Sequence, residues 1–373
     1  MKKIGLILVI IAAMGIALLP KGVAKAATTI TTCDQLQDMS LNLAEDYVLG
    51  NDIDCSATSG WNAGAGFEPV GDSGTKFTGT FDGQNHITGQ NNVGTVTGRA
   101  NSIVVTNVSS NLTMVSTSNY VAGIIGFNAS LTTVSTALTN VHFSGTVTAP
   151  DGTYGVAGLI GDNDADASIT NSSNTGNING GDSTDYVGGL VGDSDAVLNI
   201  TSSFNSGNIS TTGDACCVAG IVGWSDETYL DNVYNTGSVT GNYDVGGLLG
   251  YVSSATVTNS YSSGNVTGAV PGSTGALIGS WSELTMTNSF WNTETSNQSV
   301  ACGTENSCSE ESTGITSAQM RTQSTFTDAT WDFSETWGIC EYFNNGFPYL
   351  LWQNPTCAPP TPGLPNTGLR INS

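Results

Sequence analysis

The chain has 373 residues, with 31 Asp and Glu against 8 Lys and Arg, and a formal net charge of −23 at pH 7. Phosphate binding depends on clustered Lys and Arg, so nucleic acid is excluded as a partner. A surface so uniform in sign favours solubility and opposes association, and it leaves divalent cations as the ions it would attract.

In chain order, Met1-Lys2-Lys3 is followed by an uncharged, mostly apolar run from Ile4 to Leu19 and then by Ala24-Lys25-Ala26. This pattern predicts a secretory signal peptide, cleaved after Ala26. The apolar run falls short of the ~20 residues that span a bilayer. Removing residues 1–26 takes away four lysines and no acid, which moves the charge to −27 and leaves Lys76, Arg99, Arg321 and Arg370 as cations. The segment Leu36 to Leu43 is expected to form a short helix capping the first coil.

Eight cysteines in an exported chain predict disulfides rather than metal sites or catalytic thiols. The expected pairs are Cys33 with Cys55, Cys302 with Cys308, and Cys340 with Cys357, stapling the ends of the mature chain, where an open fold frays first. Cys216 and Cys217 are adjacent; a vicinal disulfide and two free thiols both stay open.

A glycine-flanked apolar block recurs six times, at Ala122–Gly126, Ala157–Gly161, Gly188–Gly192, Ala219–Gly223, Gly246–Gly250 and Gly275–Gly279, with spacings of 35, 31, 31, 27 and 29 residues. A period in this range means a repeat architecture. Within each repeat an alternating run such as Ala255-Thr256-Val257-Thr258 leads to an Asn, and a Gly then opens a short strand. The Asn register is Asn140, Asn171, Asn232, Asn259 and Asn288, with Ser202 standing in once; the Gly register is Gly145, Gly176, Gly207, Gly237 and Gly264. Period-two runs of Val, Ile and Thr broken by Gly, Asn and Asp read as short strands and turns. The predicted fold is therefore an all-β, right-handed parallel β-helix over residues 27–353 with about thirty residues per coil. Its core repeats are 122–290, its C-terminal cap is 291–353, and disulfides staple both ends. Ile124, Leu159, Leu190, Ile221 and Leu248 are the expected core stack. The Asn and Gly columns read as structural, serving left-handed turns, stacked amides and crowded backbone.

These blocks resemble the GLUG motif of bacterial surface proteins and of the repeat region of some IgA-cleaving metallopeptidases. The resemblance extends upstream to Tyr47–Cys55, Phe67–Gly71 and Phe77–Ile87, and downstream to Ser317–Arg321, Trp331–Phe333 and Phe347–Trp352. It implies a β-helix and a surface scaffold or adhesin. A zinc peptidase needs His-Glu-x-x-His, whereas the only histidines, His86 and His142, stand far apart without that motif.

Many β-helices act on polysaccharides, so an enzyme has to be argued from residues. Residues 122–290 contain no Lys or Arg, which removes the basic proton acceptor of a lyase. A glycosidase needs two carboxylates about 5–9.5 Å apart. Asp162 and Asp193 each follow the last Gly of a block, and Asp164 and Asp195 repeat the pattern two residues on. With no cation to balance them, a solvated turn and a calcium site are the readings set against catalysis. The same turn position gives a ladder of Phe127, Asp162, Asp193, Trp224, Tyr251 and Ser280 with Trp281 beside it, a pattern suited to stacking on a sugar.

Residues 354–373 form a Pro-rich spacer containing Leu364-Pro365-Asn366-Thr367-Gly368, which looks like the LPxTG signal cleaved by sortases. A full signal continues into an apolar stretch and basic tail that Leu369 to Ser373 do not supply, so wall-anchored and released forms both stay open. The expected function is a secreted or cell-surface, monomeric, non-catalytic scaffold binding a glycan or a host or neighbour protein. A polysaccharide-acting hydrolase or lyase is the alternative. No cofactor is expected, calcium apart.

Overall fold

Seven residues bend the chain in the same way, once per coil: Asn107, Asn140, Asn171, Ser202, Asn232, Asn259 and Asn288 all lie in the left-handed region, with φ between 46° and 57°. Asn reaches that region at less cost than other L-residues because its short amide can bond locally. The turn column read from the sequence, with Ser202 standing in, is thus a column of αL corners, and Asn107 extends it by one. Amide stacking is seen at this corner between Asn140 Nδ2 and Asn107 Oδ1, at 2.9 Å.

The computed structural model describes residues 26–358 apart from 55–60, 62–69, 72–74, 85–86, 90–96, 102, 112, 116–118, 130–134, 304–307 and 309–311. Over these residues the chain is a parallel β-solenoid of about 7 turns with about 30 residues per turn. One coil runs through Asp185–Gly188, Val191–Ser194, Val197–Thr201, Phe204–Asn205 and Ile209–Thr212. The first of these strands stacks in one six-stranded sheet, the last in another, and the middle three in a sheet of 22 strands. The repeat blocks are in register: Ala122, Ala157, Gly188, Ala219, Gly246 and Gly275 are successive partners along the first sheet.

Because strand side chains alternate, every second residue points inside. Ile124, Leu159, Leu190, Ile221 and Leu248 are fully buried and stack as one column. Each contributes about 1.5–3 kcal/mol through burial. The glycine column after the corner is a matter of crowding: a Cβ on Gly207 would strike the carbonyl of Gly176, and one on Gly237 the carbonyl of Gly207.

Polar residues also stack inside. Asn174 Nδ2 donates to Asn205 Oδ1 at 2.7 Å and Asn205 Nδ2 to Asn235 Oδ1 at 2.8 Å, each amide also closing its own turn on the Gly two residues on. A second ladder runs from Asn128 through Asn163 to Ser194. All six residues are buried, so losing one strands its neighbours. Asn205→Ala is expected to cost about 2 kcal/mol in denaturant unfolding; a change within about 0.5 kcal/mol, the size expected for the exposed Asn199→Ala, would contradict this.

The expected short helix over Leu36 to Leu43 is present but lies earlier: Cys33–Gln37 is a helix continued by a 3-10 turn at Asp38–Leu41, with Leu36 and Met39 buried. Tyr47–Leu49 pairs with both Thr28–Ile30 and Thr80–Asp82, forming the opening coils. Cys302 and Cys308 are joined beyond the last full coil, where Cys302 bridges to Ile278. Cys33 is disulfide-bonded, while its expected partner Cys55 lies outside the described residues.

The closing segment does more than cover an end. From Ser317 onward it turns back and lies along the outside of the solenoid, over a ladder of Phe204, Tyr234, Tyr261 and Phe290 that occupies one position in successive coils. Phe204 and Tyr234 stack at 4.8 Å and Tyr234 and Tyr261 at 5.1 Å. Met320, Phe326, Trp331, Trp337, Phe347 and Leu350 close over these rings as a second core. The Cys340–Cys357 disulfide belongs to this flank strap rather than to the tip of the helix.

Candidate functional site

The last glycine of each block is followed by a residue that points outward at the edge of the large sheet. Phe127, Asp162 and Asp193 are register partners there, as are Trp224, Tyr251 and Ser280. The expected ladder is therefore present on the outside of the coil. Asn163 and Ser194 alternate with the acids and point inward, which explains why Asp164 and Asp195 fall on the same outer side as Asp162 and Asp193.

A second column faces this one and was missed in the sequence. Tyr120, Tyr186, Cys217 and Asp244 each stand one residue before the in-register first-sheet valines Val121, Val187, Val218 and Val245, all with left-handed φ, and Gly155 holds the same place before Val156 in the intervening coil. Tyr154, one residue earlier, adds a further ring. The columns touch where Tyr120 lies 5.1 Å from Phe127 and Tyr186 lies 5.8 Å from Trp224, and within the second column Tyr154 lies 6.0 Å from Tyr186. Trp224 and Tyr251 stack at 6.3 Å with 12° between planes. The available signal was the recurrence of Tyr120, Tyr154 and Tyr186 one or two residues ahead of Val121, Val156 and Val187.

This second column makes the acidic pair buried rather than a solvated turn. Asp162 is 4% and Asp193 8% exposed, and Oδ1 of each has no hydrogen-bond partner. Burial, then the charges of Asp193, Asp164 and Asp195, pushes the Asp162 carboxyl up to about 8. Burial and then Asp195 push Asp193 up to about 7. Burial also raises the Tyr186 hydroxyl, with Asp193 and Asp185 adding to the effect. Asp195 is exposed and Asp164 half-buried, so the four acids run from interior to solvent.

Further along the second column, Cys216 and Cys217 form a vicinal disulfide, which settles the open alternative. Asp244 Oδ2 lies 3.6 Å from Cys216 Sγ and 3.9 Å from Cys217 Sγ, while its Oδ1 accepts from Ser280 Oγ at 2.6 Å. These two sulfurs and the carboxylate form a close group of metal-ligand type, with the sulfurs bonded to each other.

Trp281 does not join the ring ladder. It is in register with the buried Val252, one residue off Tyr251, and alternation turns it toward the apolar core at the end of the solenoid. His142 is held by Ser173 Oγ at 3.0 Å and Asn140 Oδ1 at 2.9 Å and stacks on Trp352, with burial lowering its pKa. His86, residues 1–25 of the expected signal peptide, and Leu364, Pro365, Asn366, Thr367 and Gly368 lie outside the described residues.

The family model of the GLUG motif matches residues 241–267, which span one coil of the repeat. Among solved structures, a protein from Bacteroides ovatus provisionally assigned as an immunoglobulin A1 protease is similar in fold. Their similarity covers 89% of this chain and 94% of that one, with a TM-score of 0.53 and 17% sequence identity. No curated protein matches the chain.

Proposed function

We propose that this GLUG-bearing β-helix is an exported, non-catalytic surface scaffold whose ring-and-acid edge binds a glycan. The observation that carries the reading is the parallel stack of Trp224 on Tyr251, flanked by Tyr186 and lying along the same edge as Asp162 and Asp193. Rings offer flat apolar faces to the C–H side of a sugar, and the exposed Asp195 carboxyl can meet its hydroxyls. Disulfides at 216–217, 302–308 and 340–357 suit an oxidising, extracytoplasmic compartment. Sorting through Leu364–Gly368 would join Thr367 to the wall; a mature chain ending at Ser373 in the medium would instead mark a released protein.

Trp224→Ala and Tyr186→Ala are each expected to weaken binding on a glycan array about five- to thirtyfold, since losing a stacked ring costs on the order of 1–2 kcal/mol. Binding that survives both changes would overturn the reading, and capture of a protein in place of any sugar would redirect it to a protein adhesin.

A second reading, a polysaccharide hydrolase, is favoured by the buried carboxyl pair, since an acid held protonated near neutral pH is what glycosidic cleavage needs. It requires product from a polysaccharide and its loss in Asp162→Asn. The assignment of the Bacteroides ovatus protein is not carried over, because the sequence has no His-Glu-x-x-His and His142 is engaged by Ser173, Asn140 and Trp352.

A further inference from the structure

We propose that Cys216, Cys217 and Asp244 form a redox-gated site for a thiophilic divalent metal of the zinc class, closed while the two cysteines are disulfide-bonded and open once they are reduced. The inference is independent of the glycan reading. Val218 and Val245 are register partners on adjacent coils, and Cys217 and Asp244 each stand one residue ahead of them with φ of 63° and 48°. The shared left-handed corner sets Asp244 one coil step, about 4.8 Å, from the cysteine pair. Its Oδ2 lies 3.6 Å from Cys216 Sγ and 3.9 Å from Cys217 Sγ, and one ligand atom from each of the three residues falls within 4.8 Å of the others. A tetrahedral ion bound to sulfur at about 2.3 Å and to a carboxylate oxygen at about 2.1 Å holds those two atoms roughly 3.6 Å apart. Both sulfur–oxygen edges of such a site are therefore already in place, and only the two sulfurs have to part.

Asp244 is oriented for this role. Its Oδ1 accepts from Ser280 Oγ at 2.6 Å and its N–H donates to Ser273 Oγ at 3.1 Å, the kind of outer bonds that fix a ligand's direction. Because the two cysteines are adjacent, their disulfide closes no loop of chain, and opening it leaves the strand ladder through Val218 and Ala219 in place. Cys216 is half-buried and Cys217 only 2% exposed, so a thiolate attacks the bond at Cys216. A dithiol carrier supplies the two electrons and two protons, becoming a disulfide as Cys216 and Cys217 become thiols. The metal then replaces both thiol protons, which pass to solvent, and binds two thiolates and one carboxylate with its fourth position open. Two soft sulfurs select zinc-class ions over calcium and magnesium, which take oxygen ligands.

The test reduces the full chain with a phosphine in the absence of air, removes the reductant, and titrates zinc chloride against a chromophoric chelator at neutral pH. The reduced wild type is expected to take up one more zinc per chain than Cys216→Ser/Cys217→Ser treated in the same way; that variant keeps Cys302, Cys308, Cys340 and Cys357 and so subtracts any zinc they hold. With cadmium chloride as the probe, the reduced wild type should show a thiolate-to-metal absorption band in excess of that of the double serine variant. Ser280→Ala, which lets the carboxylate turn away, should weaken zinc binding about tenfold, and Asp244→Ala at least as much. If the double serine variant does not fold, Asp244→Ala decides, because it leaves both sulfurs in place. Zinc uptake that is equal in oxidised and reduced wild type, equal in the double serine variant, or unchanged by Asp244→Ala would overturn the assignment.

Discussion

Trp337→Ala is expected to destabilise the protein by about 3–5 kcal/mol, the range for emptying a buried Trp site. Trp337 is fully buried, lies 4.5 Å from Trp331 and 6.1 Å from both Tyr234 and Tyr261, and donates from Nε1 to Asn232 Oδ1 at 2.8 Å. Its removal opens a cavity between strap and coil and takes a donor from the αL corner at Asn232. Tyr261→Phe isolates the polar part, since its hydroxyl donates to the Pro348 carbonyl at 2.6 Å and accepts from Asn344 Nδ2 at 2.7 Å. That change should cost about 1–2 kcal/mol. Denaturant titration followed by tryptophan fluorescence would measure both, with Tyr342→Ala, exposed and on the same strap, as the control. A loss below about 1 kcal/mol for Trp337→Ala would mean that the strap is not docked.

At pH 8.5, Asp162→Asn is expected to be more stable than the wild type by roughly 2–4 kcal/mol, and the gain should vanish near pH 5. One pKa unit is worth about 1.4 kcal/mol, and the full linkage value is reduced because the amide is still a buried polar group. Both acids have folded pKa values, about 8 and about 7, above the ordinary carboxylate value. The folded state thus holds protons that the unfolded chain has released, so wild-type stability falls as pH rises from about 4 through about 8. Among the described residues the groups acting on the pair are Asp164, Asp195, Asp226 and Tyr186, and none of these is a cation that would reverse the sign. Glu294 and Asp332 act in the opposite sense: hydrogen bonds from the Ser317 and Ser334 side chains lower their pKa, so what they contribute is lost as pH falls below the ordinary carboxylate range. A wild type whose unfolding free energy is level from pH 5 to 8.5 would refute the burial of the pair.

The coil was legible because its determinants are local and repeated. Block spacing fixed the register of Ala122 through Gly275, and the Asn column marked corners that the backbone uses. The buried amide ladders were not legible, because Asn174 followed by Thr and Gly, or Asn205 followed by Ser and Gly, reads as a turn and only stacking shows that it points inside. The strap was hidden for a different reason: its contacts are long-range and aperiodic, as when Trp352 Nε1 donates to the Ser202 carbonyl 150 residues away. At the candidate site, the acid and ring column was visible as a periodicity. The burial of Asp162 and Asp193 was not, since it depends on Tyr186 and its neighbours from a facing column out of phase with the first. Trp281 failed as a ladder member because one residue of phase decides between edge and core.

The strap also acts as a ruler. A solenoid of near-identical coils has no intrinsic length, since a coil gained or lost by duplication or deletion leaves every other interface unchanged. Here Trp331 bonds the carbonyl of Asn288 at one end while Trp352 rests on His142 at the other. Five coil steps separate those sites, about 24 Å at roughly 4.8 Å per step. A copy of the chain with one coil more or fewer between them would meet this fixed span out of register, losing the His142 stack and the Ser202 bond together. The strap therefore selects coil number within a repeat that otherwise leaves it free to drift.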